Sequence, residues 1–193
     1  MSHDSHGDGG AVGLAGRARA ATGESVFRCY QCGKCTAGCP LAEEMDVPPS
    51  QILRLLQLGI EALEEAAVGA FSPWLCLTCE TCHARCPQEV DLPKIMEFLR
   101  EEALRRNMVN PKAKDIMAFH ESFLDSLRSG GRLFEVGLIS KYKMKTFHLF
   151  QDVLAAPKLF FRGKLHLFPH AIEGKAQVAR IFEKTIEKKE GHE

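Results

Sequence analysis

The sequence has no excess charge of either sign and no long hydrophobic run. In the 193-residue chain, 25 basic residues balance 25 acidic ones, so no overall charge draws the protein to nucleic acid or anionic lipid. No run approaches the roughly 18 to 20 apolar residues of a membrane span, and no basic segment followed by an apolar one opens the chain. These absences predict a cytoplasmic protein without a membrane span and without a nucleic-acid partner.

Alternating strand patterns are also missing from the cysteine-containing half, residues 29–106. Residues 51–59 (QILRLLQLG) instead show the apolar spacing of a helix and end at a glycine. Residues 72–73 (Ser-Pro) and 91–93 (Asp-Leu-Pro) are typical helix starts, since proline is favoured in the first turn. The sequence therefore predicts an all-α fold.

The eight cysteines form two copies of one pattern. Both copies read C-x2-C-x2-C-x3-C-P, at Cys29, Cys32, Cys35, Cys39 with Pro40 and at Cys76, Cys79, Cys82, Cys86 with Pro87. A disulfide framework is disfavoured because intracellular thiols are kept reduced. The pattern is typical of proteins with two 4Fe-4S clusters. It predicts two such clusters, with every cysteine of the chain as a ligand.

The last cysteine of each copy is predicted to serve the other copy's cluster. Three cysteines separated by two residues surround three corners of a cubane, and the following Cys-Pro is directed away from it. We therefore expect two mixed ligand sets. Cluster one would be held by Cys29, Cys32, Cys35 and Cys86, and cluster two by Cys76, Cys79, Cys82 and Cys39.

Three other classes of protein are alternatives to an iron-sulfur electron-transfer protein. Eight thiolates also suit two structural zinc ions, although zinc ribbons normally use one C-x-x-C per knuckle. An iron-sulfur redox sensor that binds DNA is disfavoured because no helix-turn-helix with a basic face accompanies the cysteines. A self-contained enzyme is disfavoured because the predicted ligation uses every cysteine and leaves no open coordination site.

Two such motifs embedded in helices resemble the alpha-helical ferredoxin domain of several respiratory oxidoreductases. Within that group, the chain is similar to the C subunit of heterodisulfide reductase. The segments that carry the similarity are CYQCGKCTAGCP, QILRLLQLG, WLCLTCETCHARCPQEVDLPKIMEFLR (residues 74–100) and, more weakly, GKLHLFPHAIEG (residues 163–174). Related electron-transfer proteins carry CCG segments on the same chain, whereas this sequence contains no Cys-Cys pair.

The resemblance implies a non-catalytic, electron-transferring subunit in a hetero-oligomeric oxidoreductase complex. Its implied partners are a flavoprotein like the A subunit of heterodisulfide reductase and a CCG-type protein like the B subunit, which carries out the disulfide chemistry. An iron-sulfur subunit of another respiratory or sulfur-metabolising oxidoreductase remains the alternative, together with the redox sensor. Residues 1–23 have almost no large apolar side chains, which predicts a flexible segment. The remaining chain is predicted to form an alpha-helical ferredoxin domain over 24–106 and a C-terminal helical region over 107–193 for core packing and subunit docking.

The two cysteine motifs are not identical in sequence. Gly33 and Gly38 of the first copy correspond to Glu80 and Arg85 of the second. Glycines allow backbone amides to approach a cluster closely, and Lys34 adds a positive charge, so both features favour the reduced state of the first cluster. The hypothesis from sequence is that cluster one has the higher reduction potential.

Overall fold

The computed structural model describes residues 13–146 and 172–185. Within these ranges every regular element is a helix or a 3-10 turn, which confirms the predicted all-α fold. None of the described helices is long and apolar enough to cross a membrane. The chain divides into two units, Met1–Ala113 and Lys114–Glu193.

The first unit contains both cysteine motifs and seven described helices. They are α1 (Leu14–Thr22), α2 (Lys34–Ala37), α3 (Pro49–Leu58), α4 (Glu61–Val68), α5 (Ser72–Leu75), α6 (Thr81–Ala84) and α7 (Leu92–Arg105), with 3-10 turns at Val26–Arg28 and Pro111–Ala113. The short helices α2 and α6 lie inside the motifs, and each motif is followed by one of the two longest helices of the unit, α3 or α7.

Helices α3 and α7 supply most of the core of this unit. Ile52 and Leu56 of α3, like Ile95 and Leu99 of α7, are fully buried. Burial of each such side chain is worth about 1.5 to 3 kcal/mol relative to exposure. The core therefore lies directly beneath the two cysteine motifs and fixes the helices that follow them.

Helix α1 differs from the sequence prediction, which places residues 14–22 in a flexible segment. Its small apolar residues pack into the core, with Leu14 1% and Ala18 0% exposed. The Leu14 amide donates a buried hydrogen bond of 2.9 Å to Glu64 Oε1, and Arg17 forms an ion pair with Glu102. The three buried side chains Leu14, Ala15 and Ala18 suffice to dock α1, because the small alanines allow its backbone to approach the neighbouring helices closely. Residues 1–12 lie outside the described part of the chain.

The second unit contains α8 (Lys114–Gly130), α9 (Glu135–Thr146) and α10 (Lys175–Thr185). The Phe134 amide, just before α9, donates a 2.9 Å hydrogen bond to Ser126 Oγ of α8. The rings of Phe119 and Tyr142 meet edge-on with centroids 6.1 Å apart. Helices α8 and α9 therefore pack against each other. Residues 147–171, which include most of the weakly similar segment 163–174, lie outside the described ranges.

Candidate iron-sulfur site

The two cysteine motifs adopt the same backbone conformation. The second residue after the first cysteine is left-handed in both copies, with φ of 63° at Gln31 and 51° at Thr78. The fourth residue is also left-handed in both, with φ of 76° at Gly33 and 59° at Glu80. Because Glu80 adopts the conformation of Gly33, this backbone gives no support to the expectation that the glycine brings cluster one closer amides.

The thiols surround two cavities, each lined by cysteines from both motifs. The first cavity encloses about 320 Å³ of space, some of it open to solvent, and has Cys29, Cys32, Cys35, Cys82 and Cys86 in its wall. The second encloses about 420 Å³, also partly open, and has Cys39, Cys76, Cys79 and Cys82 in its wall. The structure thus brings together the thiols of each predicted ligand set across about fifty residues of sequence, and Cys82 lies in both walls.

The residues present fit a cubane cluster. At least four thiols face each cavity, and thiolate sulfur is the ligand that iron-sulfur clusters take.

The second cysteine of each motif, Cys32 or Cys79, is the most exposed of the four and has a lowered thiol pKa. For Cys32 the main cause is a hydrogen bond from the Lys34 backbone amide. For Cys79 it is a hydrogen bond with the Thr81 hydroxyl, at 3.5 Å, followed by one from the Thr81 amide. Both hydrogen bonds favour the thiolate, which is the form that binds iron.

The third cysteine of each motif has the opposite character. Burial raises the pKa of Cys35 and raises that of Cys82 to about 11. These two thiols are neutral near pH 7 without a metal, so cluster binding must displace their protons. The pKa shifts of the second and third cysteines therefore have the same direction in the two copies.

Gln57 of α3 holds the first motif in place. Its Nε2 donates hydrogen bonds of 2.6 Å to the Cys29 carbonyl and 2.8 Å to the Val26 carbonyl. Its Oε1 accepts a 3.2 Å hydrogen bond from Gln31 Nε2, and the Gln31 amide lies 3.4 Å from Cys29 Sγ. The backbone carbonyls that lead into the first cysteine are therefore satisfied by a neutral side chain.

Arg100 of α7 occupies the corresponding place at the second motif. Its Nε donates a 2.6 Å hydrogen bond to the Pro73 carbonyl, and its Nη2 donates to the Cys76 carbonyl. Pro73 precedes Cys76 by three residues, as Val26 precedes Cys29. A cation here performs the structural task that an amide performs at the first motif.

Two arginines connect the motifs to each other. Arg28 donates hydrogen bonds of 2.5 Å to the Gln88 carbonyl and 2.7 Å to the Glu89 carbonyl, just after the second motif. The side chain of Arg85 lies against Gly38, where an added Cβ would come within 2.6 Å of it. These contacts hold the two halves in the register that forms the mixed thiol sets.

Asp46, in the loop after the first motif, caps the helix that leads into the second motif. Its Oδ1 accepts hydrogen bonds from Ser72 Oγ at 2.6 Å and the Ser72 amide at 3.0 Å, and its Oδ2 accepts one from the Phe71 amide at 2.8 Å. Partial burial opposes the ionised form, but these donors outweigh it and lower the pKa of Asp46. Helix α5 is thereby fixed immediately before Cys76.

The supporting residues Asp46, Gln57 and Arg100 were not identified from the sequence, and neither was Arg28. A signal for part of the repeat was present, since Asp-Val-Pro follows the first Cys-Pro and Asp-Leu-Pro follows the second. Aligning the two copies on these tripeptides would have extended the repeat beyond the cysteines and into α3 and α7.

Comparison with known protein families agrees with this geometry. Residues 25–90 match the family model described as a 4Fe-4S dicluster domain. This match covers both cysteine motifs and the helices between them, which is the part of the chain that forms most of the two cavities.

Several curated relatives are similar to this part of the chain. Three of them, described next, are C subunits of heterodisulfide reductases. That of the H(2):CoB-CoM heterodisulfide,ferredoxin reductase of Methanothermobacter thermautotrophicus is 32% identical over 101 residues that cover 52% of this chain and 53% of the relative. The iron-sulfur C subunit of the CoB--CoM heterodisulfide reductase of Methanopyrus kandleri is 37% identical over 82 residues that cover 42% and 41%. That of the Ferredoxin:CoB-CoM heterodisulfide reductase of Methanosarcina mazei is 30% identical over 97 residues that cover 50% and 57%.

The chain spans about half the length of the curated relatives it matches. The 4Fe-4S dicluster match contains all eight cysteines of the two motifs. The predicted cofactors are confirmed, because a dicluster domain and two thiol-lined cavities occur together. Residues 25–90 therefore match a 4Fe-4S dicluster domain, the chain binds two 4Fe-4S clusters, and its resemblance to the C subunit of heterodisulfide reductases is confirmed.

Proposed function

We propose that the chain is the electron-transfer subunit of a heterodisulfide reductase-type complex. The observation that carries this proposal is the pair of adjacent thiol-lined cavities, whose walls share Cys82. Clusters held in two cavities that share one cysteine would be neighbours, an arrangement that suits electron exchange between them. The proposed ligands are Cys29, Cys32, Cys35 and Cys86 for cluster one and Cys76, Cys79, Cys82 and Cys39 for cluster two.

The bound clusters supply one-electron oxidation and reduction. The chain provides four thiolates to each, so no iron is left without a protein ligand and no substrate atom can bind there. Hydrogen bonds from Arg28, Gln57 and Arg100 hold the surrounding backbone and limit its movement when the charge changes. These features suit a relay of electrons and do not suit cleavage of a disulfide.

The proposed partners are a flavin-containing protein of the A-subunit type and a CCG-type protein of the B-subunit type. The names of the relatives, which place them as the C subunits of heterodisulfide reductases, support this assignment. We further propose residues 24–106 as the ferredoxin domain and residues 107–193 as the region for docking. Met144 at 71% and Ile181 at 59% exposure are apolar side chains available for that contact.

The first test is the composition of the protein purified without oxygen. Two cubanes require about eight iron and about eight sulfide per chain. Two zinc ions per chain and no sulfide would instead contradict the proposal.

The second test separates electron relay from disulfide chemistry. The purified chain is mixed with an artificial reductant and the heterodisulfide of coenzymes M and B, with and without a CCG-containing protein of the B-subunit type, and thiol release is followed. We expect thiol release only in the mixture that contains both proteins. Equal thiol release by the single chain would show that the chain is itself an enzyme. If the mixture releases no thiol although the clusters are reduced, the chain serves another oxidoreductase.

A further inference from the structure

Gln57 and Arg100 are structural equivalents with different charge. Each extends from the helix that follows its own motif and donates to the carbonyl of that motif's first cysteine, Cys29 or Cys76. Each also donates to the carbonyl three residues earlier. Both side chains bind the equivalent two backbone carbonyls. The neutral amide of Gln57 and the charged guanidinium of Arg100 therefore make an electrostatic difference between the two sites.

The guanidinium lies where its charge acts on a cluster. Its hydrogen bond is to the peptide of Cys76, a cysteine that holds cluster two whichever motif supplies the fourth ligand. Arg100 is half-buried, so water screens its charge less than that of an exposed lysine. Reduction adds one negative charge to a cluster, and a fixed nearby cation stabilises the reduced form more than the oxidised form.

The first motif has two cations nearby, Lys34 and Arg28, and both are exposed. Arg28 donates to the Gln88 and Glu89 carbonyls, which follow the second motif, and not to the carbonyl of a cysteine. Lys34 is exposed and is held by no hydrogen bond to a carbonyl of the motif among those described. Solvent and salt screen such a charge strongly. Arg100 is oriented by two hydrogen bonds, so its contribution to the local potential is larger and more constant.

We propose that the pair Gln57 and Arg100 sets the offset between the two reduction potentials. Arg100 raises the potential of the cluster held by Cys76, Cys79 and Cys82, and the neutral Gln57 supports the other cluster without such a rise. The inference rests on the proposed function only in that both need two redox-active clusters. In the relay it gives the second cluster a greater affinity for the electron, which is the opposite order to the one predicted from Gly33, Gly38 and Lys34 in the sequence.

The experiment exchanges the two side chains and measures both potentials. The anaerobically purified, full-length chain with both clusters is titrated with redox mediators, and the reduced signals are followed by paramagnetic resonance. Cys79→Ser, which alters a ligand of the second motif, identifies which signal belongs to that cluster. Arg100→Gln is expected to lower the midpoint of that cluster and leave the other in place. Gln57→Arg is expected to raise the midpoint of the cluster held by Cys29, Cys32 and Cys35.

Arg100→Lys is the matched control, because it keeps the charge and alters the hydrogen-bond geometry. We expect it to retain more of the wild-type midpoint than Arg100→Gln. An equal fall in both variants would overturn the proposal, because geometry and not charge would then be responsible. If the Arg100→Gln protein loses its cluster, the Gln57→Arg protein still tests the proposal at the first motif. An unchanged midpoint of the cluster held by Cys29, Cys32 and Cys35 in that variant would also overturn the proposal. These equilibrium midpoints need no partner protein, so they remain distinct from the thiol-release test of the proposed function.

Discussion

The two cysteine motifs have the same backbone and are supported by different side chains. Left-handed residues occur at the same two positions in both copies, although one copy uses glycine and the other glutamate at the second position. Thr36 of the first copy exchanges hydrogen bonds with Ser50, whereas the equivalent His83 has a buried Nδ1 with no hydrogen-bond partner among the described residues. The cluster-binding loop therefore constrains main-chain geometry strictly and constrains the identity of the supporting residues much less.

The loops that follow the two motifs also have an equivalent residue, an aspartate, that makes different contacts in the two copies. Asp46 and Asp91 each precede a helix start, but Asp91 caps its own helix, accepting a 3.3 Å hydrogen bond from the Lys94 amide. Asp46 instead reaches across to cap α5, before the other motif. One copy thus supports the other, and the repeat is structurally interdependent rather than a pair of separate modules.

The largest expected effect comes from the fourth cysteine of each copy. Cys39→Ser should damage the cluster held by Cys76, Cys79 and Cys82, because the two segments line one cavity. Cys86→Ser should damage the cluster held by Cys29, Cys32 and Cys35 for the same reason. Paramagnetic resonance of the two reduced signals and iron content measure the outcome. Damage confined to each substituted motif's own cluster would refute mixed ligation.

A smaller effect is expected at α7, the helix that follows the second motif. Glu102 there is 5% exposed and forms ion pairs with Arg17 of α1, Arg105 and Arg106. Burial opposes its ionised form, but hydrogen bonds from Arg105 and Arg17 lower the pKa to about 2. Glu102→Gln should reduce the free energy of unfolding at pH 7 by about 2 kcal/mol, after allowance for the partial exposure of the arginines.

The pH dependence of this difference has a definite sign. A carboxyl whose pKa is lowered on folding stabilises the fold above its ordinary pKa of about 4.3 and loses that contribution as pH falls toward 2. The difference between the wild type and Glu102→Gln should therefore be constant from pH 7 to about 5 and shrink below that. Denaturant unfolding followed by circular dichroism measures it, with Glu97→Gln, an exposed glutamate on the same helix, as the control. A difference that does not shrink would rule out the ion pairs as its source.

The two capping aspartates should differ in importance. Asp46→Ala removes hydrogen bonds to the Phe71 and Ser72 amides before the second motif and should cost about 1.5 kcal/mol. Asp91→Ala removes one long cap bond and an exposed ion pair with Lys94, and should cost about 0.7 kcal/mol. Release of iron to a chelator should also be faster from the Cys76 cluster in Asp46→Ala. Equal effects of the two substitutions would show that Asp46 does not support the second motif.

The smallest effects are expected at the paired left-handed positions. Gly33→Ala should cost about 1 kcal/mol through backbone strain, because Gly33 has a left-handed φ of 76°. Glu80→Gly should relieve such strain but increase the conformational entropy of the unfolded chain. The net increase in the free energy of unfolding should be about 0.5 kcal/mol. Thermal unfolding midpoints of the cluster-loaded proteins measure both. A fall in stability for Glu80→Gly would mean that the glutamate side chain contributes more than its conformation costs.

The sequence by itself determined the cofactor chemistry and the fold class. Cysteine spacing is a local property, because the first three cysteines of each motif lie within seven consecutive residues, and this spacing occurs twice in the chain. The helix start at Pro49, the helix stop at Gly59 and the proline in the first turn of α7 follow from equally local rules of backbone geometry and capping. The all-α fold and two 4Fe-4S clusters could therefore be predicted from neighbours along the chain.

Only the tertiary structure decided how the repeat is held together. Gln57 lies 28 residues from Cys29, and Arg100 lies 24 residues from Cys76, so no local pattern shows that they bind the same carbonyl in each copy. Helix α1 was expected to be flexible because its own residues are few and small, yet Glu64 and Glu102 provide the partners that fix it. Its order depends on groups 50 and 85 residues away. Such contacts depend on which surfaces the core brings together, and that is a property of packing rather than of sequence spacing.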